Sequence, residues 1–140
     1  MYSNPELEKK IYAHEGIRQW VYFDSLGNAT IAIGRCIAHG NEGISVDEAF
    51  YLLRNDIDKC YRSLSEYVWF KYLNDVRQGV LIELCFNIGL GGLLEFQGMI
   101  HALEAKDYAT AAKEMLASRW ATQVHQRAND MAAWMEKGSY

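Results

Sequence analysis

A chain of 140 residues, half of them hydrophobic, is long enough to bury one core and too short for two comfortable ones. A formal net charge of −4 disfavours a nucleic-acid binder, because phosphate selects clustered Lys and Arg and only short, mixed patches occur here. One proline, eleven glycines and no low-complexity tract leave no room for a long disordered linker, and no stretch reaches the roughly 18 uninterrupted apolar residues that a membrane helix needs. The longest candidate, from Val80 to Leu94, is interrupted by Glu83, Asn87 and Gly89.

The N-terminus carries charge where a secretion signal needs its apolar stretch, so synthesis in a cytoplasm without an export signal is expected. Cys36, Cys60 and Cys85 are odd in number, widely spaced and set among apolar neighbours, which suits free thiols in a reducing compartment. His14, His39, His101 and His125 have neither the i, i+4 spacing of a helical metal site nor a CxxC companion. Neither a metal nor a cofactor is expected.

In chain order, Asn4 followed by Pro5, Glu6 and Glu8 opens a helix, with a cap, a proline at the first helical position and acids at the positive dipole end. Leu7 and Ile11 mark its inward stripe. Four residues further that stripe lands on Glu15, and Gly16 stops the helix. A carboxylate stands where a leucine is expected. Trp20 to Phe23 predicts a strand, Asp24-Ser25-Leu26-Gly27-Asn28 a turn, and Ala29 to Ile33 a returning strand. A loop follows from Ala38 to Gly43, and Ser45-Val46-Asp47-Glu48 is a capping box for a helix whose predicted core stripe is Phe50, Leu53, Ile57, Cys60, Tyr61 and Leu64.

Beyond the aromatic stretch Tyr67 to Tyr72, Asn74 caps an apolar helix with Val76, Val80, Leu84 and Ile88 at intervals of four, and Gly89 ends it. Leu93 to Leu103 predicts one or two shorter helices, Asp107 caps another to about Trp120, and Val124 to Lys137 forms the last, stopped by Gly138. Gly89-Leu90-Gly91-Gly92 lacks the preceding strand and the Lys-Ser/Thr pair of a phosphate-binding loop, so it reads as a helix stop and turn. The tryptophans at helical spacing are expected in the core or between lobes. The fold class is α+β, mostly α.

Glu15 is the residue with chemistry in it. An apolar face desolvates its charged form, and the carbonyl end of a helix opposes ionisation, so its pKa should rise above the free value of about 4.3. A general acid needs that property. Asp24 opens a turn where solvent and free N–H groups favour the carboxylate. If the loop runs from Ser25 to Ala29, Thr30 falls across from Asp24, and the two could hold one water. Two carboxyl groups pushed to opposite protonation states, with an oriented water, suit glycoside hydrolysis. Spacing alone is a weak signal, since a helix-end Glu is usually solvated and a turn Asp usually just makes the turn.

The surroundings are more specific. His14-Glu15-Gly16, eight residues between Glu15 and Asp24, and the run Tyr22-Phe23-Asp24-Ser25-Leu26-Gly27-Asn28-Ala29-Thr30-Ile31-Ala32-Ile33-Gly34 together resemble the active-site signature of phage-type lysozymes, glycoside hydrolase family 24. Ser45 to Asp58, Phe86-Asn87-Ile88-Gly89, Ser118-Arg119-Trp120 and Arg127-Ala128 extend the likeness over nearly the whole chain. The resemblance implies a single lysozyme-like domain with a small β-hairpin lobe over about 16–60, a helical lobe from about 1–15 and 61–140, and a cleft between them. It implies a muramidase that cleaves peptidoglycan: Glu15 protonates the glycosidic oxygen, Asp24 and Thr30 position the attacking water, and the anomer inverts. Inverting enzymes hold the two carboxyl groups roughly 6.5–9.5 Å apart, so that separation is expected between Glu15 and Asp24.

By the same resemblance Phe86 and Asn87 line the substrate cleft, although Phe86 reads equally as core and Asn87 is shorter than the glutamine of T-even relatives. Arg127 matches an arginine near the catalytic glutamate, and reads equally as a helix-surface residue. Arg35 replaces a histidine whose partner aligns with Asp56, so an Arg35–Asp56 pair is expected. Ala32 replaces a glycine, and the segment between Arg35 and Ser45 is short, which trims the β lobe. The expected partner is peptidoglycan, met as a monomer, without nucleic acid or a membrane anchor. Release from a host bacterial cytoplasm to the wall would use a separate holin, unless the chain travels in the virion on a phage tail. The acidic charge forgoes electrostatic attraction to an anionic wall. Three other readings compete: a lytic transglycosylase, which needs the acid but no water-positioning aspartate; a weakly active wall-binding or virion structural protein of the same fold; and a helical adaptor or regulator.

Overall fold

The computed structural model describes residues 4–38, 40, 41 and 43–140, and of Leu7, Ile11 and Glu15 the backbone alone. The expected inward stripe of Leu7 and Ile11 therefore lies outside the described residues, as do His39 and Glu42. The chain divides into two compact units, Met1–Tyr51 and Leu52–Tyr140.

The first unit opens with helix α1 (Pro5–Glu15), in which the Glu8 N–H donates to the Asn4 carbonyl at 3.0 Å. Gly16 leaves the helix at φ 67°, a left-handed conformation that costs glycine no Cβ clash, and its N–H donates to Tyr12 O at 2.8 Å. Strands β1 (Arg18–Phe23), β2 (Ala29–Ala32) and β3 (Arg35–Cys36) then form an antiparallel sheet in that order. The third strand is absent from the sequence reading, because two residues carry too little pattern to be recognised. Trp20 is 84% exposed, so this tryptophan is not a core residue.

Helix α2 (Val46–Leu64) begins in the first unit and continues in the second. Its capping box forms as expected: Glu48 N–H donates to Ser45 Oγ at 3.2 Å, and Ser45 N–H to Glu48 Oε2 at 2.7 Å. Its predicted core stripe is buried only at the far end. Leu64 is fully buried, whereas Phe50 and Ile57 are 50% and 40% exposed. Periodicity marks an apolar face; it does not say how much of that face finds cover.

The second unit is helical, with α3 (Val68–Lys71), α4 (Asp75–Leu94), α5 (Gln97–Glu104), α6 (Tyr108–Leu116), α7 (Arg119–Val124) and α8 (Gln126–Lys137). Asn74 caps α4 by accepting from the Arg77 N–H at 3.0 Å. The chain kinks at Gly89, whose φ 78° and ψ 164° are non-helical, and winds again to Leu94; the expected stop is a break between two helical stretches. One helix was expected from Asp107 to about Trp120. Two form instead, because Ser118 takes an extended conformation and caps α7 through the Ala121 N–H. The core gathers Leu64, Phe70, Leu81, Leu84, Met99, Met115, Met131 and Met135, all essentially inaccessible. Each such side chain contributes about 1.5–3 kcal/mol on burial. Arg77 ties the start of α4 to the end of α8, donating from Nε to Met135 O at 2.7 Å and from Nη2 to Glu136 O at 2.9 Å.

Candidate active site

The turn after β1 is built around Asp24. Its Oδ1 accepts from the backbone N–H of Leu26 at 2.9 Å and of Asn28 at 2.8 Å, while Oδ2 receives the Asn28 amide at 3.3 Å. Its own N–H donates to Asn28 O at 3.0 Å. The Asn28 N–H, above all, holds the Asp24 carboxyl below the ordinary carboxylate range; partial burial opposes this, and the Asn28 amide and the N–H groups of Leu26 and Gly27 add to it. Asp24 is therefore a carboxylate across the neutral range.

Thr30 does not fall directly across from Asp24. The ladder pairs Phe23 with Ala29 and Tyr22 with Thr30, so the loop is shorter than expected and Asp24 stands opposite Asn28. Thr30 is then the diagonal neighbour of Asp24 on the same face. The reason is local: Asn28 returns both its N–H and its carbonyl to Asp24, closing the hairpin two residues earlier. Thr30 is 3% exposed, and its hydroxyl donates to Asn28 O at 2.9 Å. Asn28 thus bonds both residues. The sequence reading missed it as a site residue, although an asparagine ending a turn two residues before a threonine is a visible signal.

Glu15 closes α1 in this same unit. Its side chain, and hence the expected Glu15–Asp24 separation, lies outside the described residues.

In the second unit, Phe86 and Asn87 stand on α4 just before the Gly89 kink. Phe86 is 47% exposed, so it is not core, and it lines a cavity of about 380 Å³ with Asp56, Lys59, Cys60, Ser63, Cys85 and Gly89. Asn87 Oδ1 accepts from the indole N–H of Trp120 at 2.7 Å, a residue that the sequence reading did not place in the site. Trp120 is 4% exposed; a buried indole must find a partner, and the shorter Asn87 supplies one. Arg127 donates from Nε to Glu83 Oε1 at 2.8 Å, joining α8 to α4, with both side chains partly exposed.

Arg35 was expected to pair with Asp56. Asp56 belongs to the second unit; within the first, Arg35 Nη1 meets Glu48 Oε2 at 2.7 Å and Gly43 O at 3.3 Å. The capping box turns the Glu48 carboxylate back towards the chain before α2, and that places it against the guanidinium. Ala32 adopts φ 60°, a left-handed conformation that glycine enters without a Cβ clash. Among the described residues no group of three or more His, Cys, Asp or Glu side chains is arranged to hold a metal ion.

The phage lysozyme family matches residues 12–133. Two relatives are the pre-baseplate central spike protein Gp5 of Enterobacteria phage T4, 29% identical over 90% of this chain, and the probable T4-type lysozyme 1 of Dictyostelium discoideum, 26% identical over 89%. The chain spans 27% of the length of the spike protein and 90% of the Dictyostelium one.

Proposed function

This chain belongs to the phage lysozyme family, and from that membership we propose that it is a muramidase that hydrolyses the β-1,4 bond between N-acetylmuramic acid and N-acetylglucosamine in bacterial peptidoglycan, with inversion. Glu15 is the general acid that protonates the leaving oxygen. Asp24 is the general base.

The observation that carries this reading is the bonding around Asn28. Oδ1 of Asp24 is committed to two backbone N–H groups, which leaves the more loosely held Oδ2 as the atom to take a proton. The Thr30 hydroxyl spends its hydrogen on Asn28 O, so towards a water it is an acceptor. A water giving one hydrogen to Thr30 and the other to Asp24 has its lone pairs free for the anomeric carbon. As the bond forms, its proton passes to Oδ2, while Glu15 supplies the proton that leaves with the departing sugar.

Clearing of permeabilised Gram-negative cells, followed by turbidity, compares this chain with Glu15→Gln. Loss of clearing by at least about 100-fold is expected; equal clearing removes the hydrolase reading. Reducing-end analysis of the digest then separates hydrolysis from transglycosylation, which leaves an anhydro sugar. On this reading the chain is made in a host bacterial cytoplasm and reaches the wall at lysis through a separate holin-type pore.

The likeness to a phage central spike protein favours a second reading, in which the same activity works as part of a virion. Finding the chain in purified particles distinguishes the two.

A further inference from the structure

Cys60, on α2, and Cys85, on α4, lie in the same unit and line the same cavity beside Phe86. Cys85 is buried in the core, and Cys60 packs half-buried against it. The Cys60 side chain is near enough to Cys85 to help raise its pKa. They come from different helices and are separated by 24 residues of chain (61–84), so the fold, not chain proximity, brings them together.

We propose that Cys60 and Cys85 form a reversible disulfide, a covalent modification site that ties α2 to α4 when the chain meets a disulfide oxidant. The oxidant belongs to the class of small-molecule disulfides such as oxidised glutathione. Cys60 is the more accessible thiol, and its thiolate attacks one sulfur of the oxidant, which releases the other half as a thiol and leaves a mixed disulfide on Cys60. Cys85 then gives up its proton and attacks the Cys60 sulfur, expelling the second thiol. In sum, two protein thiols are oxidised by two electrons and one disulfide is reduced to two thiols. Burial, and after it the contact with Cys60, pushes the Cys85 thiol up to about 12, which makes Cys85 a poor first nucleophile and sets this order. The thiols persist in a reducing cytoplasm, and the bond forms outside it. The residue after Cys85 is Phe86, so the bond fixes the backbone beside a residue expected to touch substrate.

The test uses the whole chain and needs no activity, so its failure is distinct from failure of the hydrolase reading. The folded protein is equilibrated with oxidised and reduced glutathione, trapped with acid, and mapped by mass spectrometry. Loss of two of the three thiols and about 2 Da, with a cross-linked peptide joining Cys60 to Cys85, is expected. In a Cys36→Ser background, the effective concentration of the pair should be at least roughly tenfold higher in the folded chain than in urea. Three free thiols in the oxidised native protein, a bond to Cys36 in their place, or equal effective concentrations folded and unfolded would overturn the assignment.

Discussion

Asn28 is bonded to Asp24 three times: through its N–H at 2.8 Å, its side-chain amide at 3.3 Å and its carbonyl at 3.0 Å. The same carbonyl takes the Thr30 hydroxyl at 2.9 Å. Replacing the side chain by Asn28→Ala removes the amide that favours the Asp24 carboxylate and loosens the turn. The acid limb of the pH profile of wall clearing should move to higher pH, and kcat should fall about tenfold. An unmoved limb with full activity would place Asn28 outside the site.

Acid should unfold this protein through groups that can be named. Asp24, Glu48 and Asp107 are all held below their ordinary values, Asp107 by the Thr110 hydroxyl and N–H, Glu48 by the Ser45 N–H and then Arg35. A depressed folded-state pKa means that the native state releases its proton more readily than the unfolded chain. The stabilisation is complete above the ordinary values of 3.8 and 4.5 and is lost as pH falls through the lowered ones. The urea midpoint should therefore drop from about pH 4.5 downward, and less so in Asp107→Asn. A midpoint that stays flat through that range contradicts the assignment.

Arg35 should be coupled to Glu48. In a double-mutant cycle on urea stability, Arg35→Ala with Glu48→Ala should be non-additive. Glu48→Ala should cost more than Arg35→Ala, because it also strips the Ser45 N–H of its acceptor. Additive losses would show that the 2.7 Å contact does not couple the two side chains.

Trp120→Phe keeps the ring and removes the indole N–H. The lost bond to Asn87 should cost about 1 kcal/mol in unfolding free energy, and a cycle with Asn87→Ala should recover about 0.5–1.5 kcal/mol of coupling. Zero coupling would show that the 2.7 Å contact contributes nothing to stability.

Ala32 holds φ 60°, where a Cβ costs energy and glycine is at ease. Ala32→Gly relieves that strain but loosens the unfolded chain. A net gain of about 0.5–1 kcal/mol is expected from urea titration. A loss would mean that the left-handed backbone at this position is not strained by its methyl group.

Much of this molecule can be read locally. The Asn4 and Pro5 start, the Gly16 stop, the Ser45–Glu48 capping box, the Asn74 cap and the four-residue apolar rhythm of α4 each rest on groups a few residues apart, and backbone sterics and hydrogen bonding act over that range. Spacing and resemblance likewise make Glu15, Asp24 and Thr30 the candidates for chemistry. It could not supply the partner of each. Register moved Thr30 from opposite Asp24 to its diagonal, because the bonds of Asn28 closed the turn early. The Glu48 that closes a helix cap also meets Arg35, thirteen residues away. The contacts between Trp120 and Asn87, Arg127 and Glu83, and Cys60 and Cys85 join different helices and leave no mark in local pattern. Propensity is a property of neighbours along the chain. Pairing depends on which surfaces packing brings within about 3 Å, and only the folded chain fixes that.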